Sequence, residues 1–452
     1  MDNHNSGLLK FKGSAIGISR RRFIKTSAGA AAGIAGSLAA PYVNAQSGVT
    51  LRFLNNETAA SSQAVLRDAA AAYESKFGVK IIIDSAPISA SYAKAMAAIN
   101  AGAPYDLATL GYIAHLLQYA NGGHLLPMTD LVKKYTWGRM AAWTYKGENW
   151  FYPYDYNLVT VYYRKDLYAE KGLKVPNTWA EFLENCRALT VTKDGSVERG
   201  GCVIPLASDS ATNWSSFGSL LADVPKFYDD KWNVTLDAGQ DAARTAHFLD
   251  LYADLYKTMP PGMNTVSYAE LMSLFVTGKV AHTVYSGRVV EAIEARNPEL
   301  SDKYGIFPSP DSSGKQKALS FAFDGFVAFK TKQSEETLKF LKWFIDEHYI
   351  DWLHSAWMNF QPARMDVYDD PRWKKQPMIQ KHWATMMQMK GFVEDENVRI
   401  ASLDKTGPEM DLRPCKIFDL NIMPEMLQNK VLKGMSSADC VKTAADRIRK
   451  IG

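Results

Sequence analysis

The sequence has few cysteines, no long apolar run and no strong charge bias, and each shortage excludes a class of protein. Four cysteines in 452 residues are too few for a disulfide-built fold, and none has CxxC or Cys/His spacing for a metal. Cys186 with Cys202 and Cys415 with Cys440 are near in sequence. Each pair has two open readings, a disulfide in an oxidising compartment or two buried thiols. No stretch offers the roughly 20 strongly apolar residues of a membrane span. There is no repeat period, coiled-coil heptad or low-complexity block. The GxSxG elbow, the GxxxxGK[ST] loop and HExxH are missing. His348 and His354 lack the i, i+4 spacing of a helical metal pair, so neither metal nor cofactor is expected. A glycosidase needs two placed carboxylates with no local signature, which keeps an exported carbohydrate-active enzyme as the weakest reading.

What is present begins at the N-terminus. Residues 19–25 read SRRRFIK, followed by the Ala/Gly-rich TSAGAAAGIAGSLAA and by VNA before Gln46. This charged, apolar, small-residue order is that of an export signal, and Ser-Arg-Arg-x-Phe-Ile-Lys resembles a twin-arginine signal. A signal over residues 1–45 and a periplasmic location are expected. That segment holds six basic residues against Asp2, a net of +5, so the chain's +4 becomes −1 without it. A nucleic-acid footprint is therefore not expected.

The remaining length of about 400 residues exceeds one ordinary hydrophobic core, so two domains are expected. VTLRFLNN, VKIIID and YDLATL read as strands separated by helices, VKIIID as one buried on both faces; this is the cycle of an open α/β sheet. A second cycle follows. Thr178 and Glu181 form a capping box before a helix, CVIPLA reads as a strand, ATNWSSFGSLLADV as a helix, and HTVYS and YGIFPSP as strands. ALSFAFDGFVAFK reads as one long strand or a hairpin, and a mainly helical tail follows from Asp351.

Several stretches in order resemble the bacterial extracellular solute-binding protein family 1, the sugar-binding components of ABC importers, in the branch that includes maltodextrin-binding proteins. They are YDLATLGYIAHLLQYANGGHLLPMTDLV, PYDYNLVTVYYRKDLYAEKGLKVPNTWAEFLENCRALT, LFVTGKVAHTVYSGRVVEAI, DGFVAFKTKQSEETLKFLKWF and QPARMDVYDDPRW. The resemblance implies an α/β fold of two lobes, the type II periplasmic binding protein, with hinge-crossing strands and a ligand cleft between the lobes. It implies residues 46–155 plus 308–348 in the first lobe and 156–307 plus 349–452 in the second.

Sugars present hydroxyl edges and apolar faces, so a site for them combines carboxylates or amides with aromatic rings. The resemblance places such groups at Asn56 and Glu57 after the first strand, Tyr112 with Gly111 after the third, and Asp209 and Trp214 in PLASDSATNW. It adds Asp324 with Gly325 at a strand turn, Trp357 and Gln361 in the tail, and Asn157 on the crossing segment. Strand alternation sets Asp155 on the face of Asn157, with Tyr152, Tyr154 and Tyr156 opposite and Tyr154 the exception most open to the ligand. Arg288 stands where the family often has an aromatic ring. Its fork suits a carboxylate or phosphate, and if Arg288 and Arg364 both faced the cleft an acidic sugar would follow. The expected function is a monomeric protein that captures a mono- or oligosaccharide and hands it to the membrane subunits of an ABC importer. The alternative is a non-sugar solute such as a polyol, a glycerol phosphate ester or a polyamine.

Overall fold

The computed structural model describes residues 48–451, with the backbone alone at residues 321 and 322. The chain divides into the units Met1–Asn44 and Ala45–Gly452. The expected export signal lies outside the described residues. Among the described residues no helix is long and apolar enough to cross a membrane.

Two sheets organise the second unit. The first is built by Thr50–Asn55 at its heart, parallel to Lys80–Ser85 on one side and to Leu107–Leu110 on the other. Gly325–Ala328 then pairs antiparallel with Leu107–Leu110, and the short Tyr152–Pro153 closes the far edge. Lys80–Ser85 is the other edge, and Ile82 is 47% exposed there. The expectation of a strand buried on both faces is corrected, because the face carrying Ile81 is covered at that position while Ile82, on the opposite face, is left to solvent. Helix Ala60–Phe77 packs on this strand and stops at Gly78, whose φ of 70° is a left-handed cap that favours glycine.

Asp155–Arg164 is the spine of the second sheet. It pairs antiparallel with Lys317–Ala322, His282–Tyr285, Tyr304–Phe307 and Gln361–Pro362 at successive points of its length. Val398–Ala401 adds in parallel to Lys317–Ala322. The chain therefore passes from one sheet to the other at Tyr154 and again at Phe323–Asp324, with Tyr154 N–H donating to the Asp324 carbonyl at 2.9 Å. ALSFAFDGFVAFK is thus neither one strand nor a hairpin. Its two halves belong to different sheets, and the strands Ser309–Pro310 and Lys317–Ala322 lie in the second. CVIPLA is not a strand either. It makes one isolated bridge, Val203 to Thr283, and Pro205 has no N–H with which to extend a ladder.

Helix Trp179–Leu189 starts with the expected capping box of Thr178 and Glu181. Its Cys186 and the other three cysteines are buried and unbonded to one another, with the Cys186 and Cys202 thiols side by side. Helix Leu412–Asp419 in the tail packs on helix Ile113–Asn121, so the C-terminal segment reaches the first sheet's side of the molecule.

Helix Ser210–Asp223 lies against the strand Lys317–Ala322. A Cβ at Gly218 would come within 2.3 Å of the Ser320 Cβ and 2.4 Å of its backbone nitrogen, so only glycine allows this approach. Gly218→Ala is expected to destabilise the protein by about 1–3 kcal/mol, the usual cost of overpacking. The measurement is a lower urea midpoint with unchanged slope.

Candidate ligand-binding site

A cavity of about 650 Å³ opens where the chain crosses between the sheets, within the roughly 300–1,000 Å³ of small-molecule pockets. Its floor is made by the strand ends. After Thr50–Asn55, the Asn55 carboxamide folds onto Glu57, accepting from its N–H at 3.0 Å and donating to its carbonyl at 2.7 Å. This Asx-type turn, with Asn56 N–H donating to Thr109 Oγ1 at 2.7 Å, directs Asn56 and Glu57 to the cavity lining. Gly111 follows the third strand, where a Cβ would meet Ile88 at 2.4 Å and Asp324 Oδ1 at 3.1 Å.

The crossing strands supply a buried polar knot. Asn157 Nδ2 donates to Asp324 Oδ2 at 3.1 Å, and Asp324 N–H donates to Asp155 Oδ1 at 3.1 Å. Asn157 and Asp324 line the cavity, and Asp155 stands one step behind them, fully buried. Burial holds the Asp155 and Asp324 carboxyls well above their ordinary value, with Asp324 and Glu57 adding repulsion on Asp155 and Glu57 adding it on Asp324. Burial likewise raises Glu57, against the opposing pull of Arg288. Arg288, at the start of helix Arg288–Arg296, bonds Glu57 Oε2 and Glu291 Oε2, each at 3.2 Å. Glu291 Oε1 in turn accepts from the N–H groups of Met358 and Asn359 at 3.0 and 3.1 Å, which fixes the helix to the tail. The Glu57–Arg288 pair thereby joins a loop of the first sheet to a helix of the second.

An aromatic wall faces the knot. Trp214, Tyr268 and Tyr285 line the cavity with ring centroids 5.5 to 6.1 Å apart. Tyr112 meets Tyr268 hydroxyl to hydroxyl at 3.4 Å. Tyr285, three residues before Arg288 at the end of its strand, brings a ring to the cavity beside the arginine that departs from the family's pattern.

Of the residues proposed from sequence, Asn56, Glu57, Gly111, Tyr112, Asn157, Trp214, Arg288 and Asp324 share this lining, and Tyr154, Asp155, Asp209, Gly325, Trp357, Gln361 and Arg364 do not. Asp209 caps helix Ser210–Asp223. Its Oδ1 accepts from Ala211 and Thr212 N–H, and its Oδ2 from Ser267 Oγ at 2.6 Å, so both oxygens are engaged in structure. Tyr154 lies under the crossing, packed on Phe326, Trp352 and Phe360. Gly325 is pressed on the Phe151 ring, where a Cβ would approach to 2.4 Å. Trp357 stacks on His382, and the Gln361 amide donates to the Met358 carbonyl at 2.8 Å. Arg364 pairs with Asp366 and covers Tyr135, so it does not join Arg288 at the cavity, and the condition for an acidic sugar is unmet. Sequence reasoning missed Tyr268, Met272, Tyr285, Ser286 and Asn359 in the lining. Tyr285 alone carried a signal, as the last residue of a clear strand.

Residues 68–381, more than half of the chain, match the model of a family described as bacterial extracellular solute-binding protein. The chain belongs to that family. It is 23% identical over 251 residues to YcjN of Escherichia coli strain K12, named as an ABC transporter periplasmic-binding protein, covering 55% of this chain and 56% of that one. It is 28% identical over 189 residues to the mannitol-binding protein of Pseudomonas aeruginosa, covering 40% and 42%. The match thus spans about half the length of these curated relatives. Among solved structures, a solute-binding protein of Thermotoga lettingae bound with α-D-tagatose superposes with TM-score 0.71 at 20% identity, over 89% of this chain and 99% of that one. Maltose-bound MalE3 of T. maritima gives TM-score 0.71 at 17% identity, over 89% and 100%. The fold of this solute-binding protein is accordingly the two-lobed α/β fold of periplasmic sugar-binding proteins.

A carboxyl that is protonated in the fold and ionised when unfolded stabilises the fold fully below its unfolded value, here 3.8, and progressively less as pH rises toward its folded value. Asp155→Asn removes that loss. It is expected to raise unfolding stability at pH 7 by about 0.5–2 kcal/mol and to flatten the decline between pH 4 and pH 7, read by denaturant unfolding across pH.

Proposed function

We propose that this protein captures a sugar or polyol between its two lobes in the periplasm and delivers it to the membrane subunits of an ABC importer. The observation that carries this reading is the cavity itself, lined both by amide and carboxyl groups and by the Trp214, Tyr268 and Tyr285 rings. Rings take the apolar face of a sugar while amides and carboxylates bind its hydroxyl edge. Asn56 Oδ1, Asn157 Oδ1 and Trp214 Nε1 are buried without a protein partner, and a polyhydroxylated ligand offers both donors and acceptors to them. The sugars and the polyol named for the relatives and neighbours support the same class. Family members and neighbours are binding proteins, and no bond-breaking step is assigned to this site. Arg288 itself is engaged by two glutamates and is not a free fork for a carboxylate ligand.

In this reading the first lobe comprises the first sheet, up to about residue 153 and again from about residue 325, and the second lobe begins with Asp155. The crossings at Tyr154 and at Phe323–Asp324 are the hinge, and closing it around a ligand is the step that the importer senses. Tyr112, Asn157, Trp214 and Asp324 are the contacts of first importance.

The test is a thermal-shift screen of neutral and acidic sugars, polyols and polyamines, followed by calorimetry and by chromatography of the recovered solute. A neutral sugar or polyol is expected to raise the melting temperature and to be recovered unchanged. Trp214→Ala is expected to weaken its binding by about two- to tenfold, the worth of one aromatic contact. Conversion of the sugar would reveal an enzyme instead. Export by the twin-arginine route is proposed from SRRRFIK alone. Replacing Arg20 and Arg21 together by lysine is expected to leave the precursor in the cytoplasm, as seen by fractionation and immunoblot.

A further inference from the structure

We infer that the preferred ligand is an amino sugar or amino polyol, whose protonated amine sits against Asp324 and Glu57 at the cavity floor while its hydroxylated carbons lie on the aromatic wall. This rests on the sugar-binding reading above and names the ligand class within it.

The first argument is charge. Glu57, Glu291, Asp155 and Asp324 surround the floor, and Arg288 is the cation that reaches them, bonded to Glu57 and Glu291. Asp324 has an amide as its side-chain partner, Asn157, and Asp155 has a backbone N–H. Arg296 also lines the cavity, but it lies eight residues further along the helix, about 12 Å from Arg288 at 1.5 Å per residue. It is exposed and is not among the charges acting on Glu57, Asp155 or Asp324. A neutral sugar hydroxyl gives these carboxyls a hydrogen bond and no charge. An ammonium gives up to three donors together with a positive charge that favours the ionised carboxylate.

The second argument is the kind of atom left unpartnered. Asn56 is 6% exposed and lines the cavity, and its Oδ1 has no protein partner. Asn157 Oδ1 is in the same position. Both are acceptors. Two free acceptors beside the Asp324 and Glu57 carboxyls select a ligand that brings donors and positive charge. Trp214, Tyr268 and Tyr285 also line the cavity, and aromatic rings attract a cation and the C–H face of a sugar alike.

Protonation supports the same picture from the empty side. The groups facing Asp155 and Asp324, besides each other, are Glu57, Arg288, Asn157 and the Tyr112, Tyr154 and Tyr349 hydroxyls, and burial with carboxyl repulsion raises both aspartates well above the ordinary carboxylate value, favouring their neutral forms. An arriving ammonium replaces such a proton, so binding releases protons to the buffer.

The experiment is calorimetry on the full mature protein at pH 7 with matched pairs, glucose against glucosamine and sorbitol against 1-amino-1-deoxysorbitol, in buffers of different ionisation enthalpy. The expected result is that the amine of at least one pair binds about tenfold tighter or better, the size of one charge-assisted bond, with an enthalpy that shifts with buffer as protons leave. In Asp324→Asn the ratio within that pair is expected to fall toward one. Equal or tighter binding of both neutral members overturns the amine assignment and leaves the sugar-binding reading standing, as does an unchanged ratio in Asp324→Asn. If no member of either pair binds while an unrelated solute does, the sugar-binding reading falls and this inference falls with it.

Discussion

Everything at the centre of this molecule depends on two antiparallel segments that change sheets side by side. Residues 152–158 and 321–326 stay paired through the change, in the first sheet at Phe326 to Tyr152 and in the second at Phe321 to Leu158. Because side chains alternate along a strand, the two faces of this short ladder carry different chemistry. One face is apolar, where Tyr154 meets Phe326, Trp352 and Phe360. The other holds Asp155, Asn157 and Asp324. The aromatic face anchors the crossing in the core, and the polar face is presented to the cavity.

That polar face is costly. Burying a carboxyl is unfavourable unless it is paired or protonated, and two aspartates are buried within one hydrogen-bonded knot, close to Glu57. Arg288 offsets part of the cost by holding Glu57 and Glu291, and Glu291 is further satisfied by two backbone N–H groups. The remainder is left in the fold. Such unresolved strain in a closed core would be a defect; in the wall of a cavity, under the proposed function, it is free energy that a ligand recovers on binding. Stability and affinity therefore pull on the same residues in opposite directions.

The sequence made the architecture legible because that information is local. Alternating strands and helices, the capping box at Thr178 and the left-handed stop at Gly78 each lie within a few neighbouring residues. The site was legible only in part. Asn56, Glu57, Tyr112, Asn157, Trp214, Arg288 and Asp324 follow strand ends or the family's order. Tyr268, Met272 and Asn359 come from a helix and a tail turn whose place at the cavity is set by packing over long sequence separations, and nothing adjacent to them announces it. Asp209 misled for an instructive reason. The acidic residue that would suit a ligand is also the best cap for the helix that follows it, and when a helix begins there its first N–H groups claim the carboxylate. CVIPLA misled because apolar composition marks burial, and burial can be met by an irregular segment as well as by a strand.

The paired change of sheets also limits how chains of this kind can diverge. In a ladder, inserting or deleting one residue turns every later side chain to the opposite face. A single-residue change between Tyr152 and Asn157 would carry Tyr154 or Tyr156 to the cavity and send the polar groups into the aromatic core. Substitution at these positions can retune the ligand, whereas a change of length abolishes the site. By contrast, the exposed hairpin of Val191–Lys193 and Ser196–Arg199 carries no such constraint. Among descendants of this chain, spacing across the crossing should hold even where the identities of its residues drift, so counting residues there is a better guide to a shared pocket than matching them.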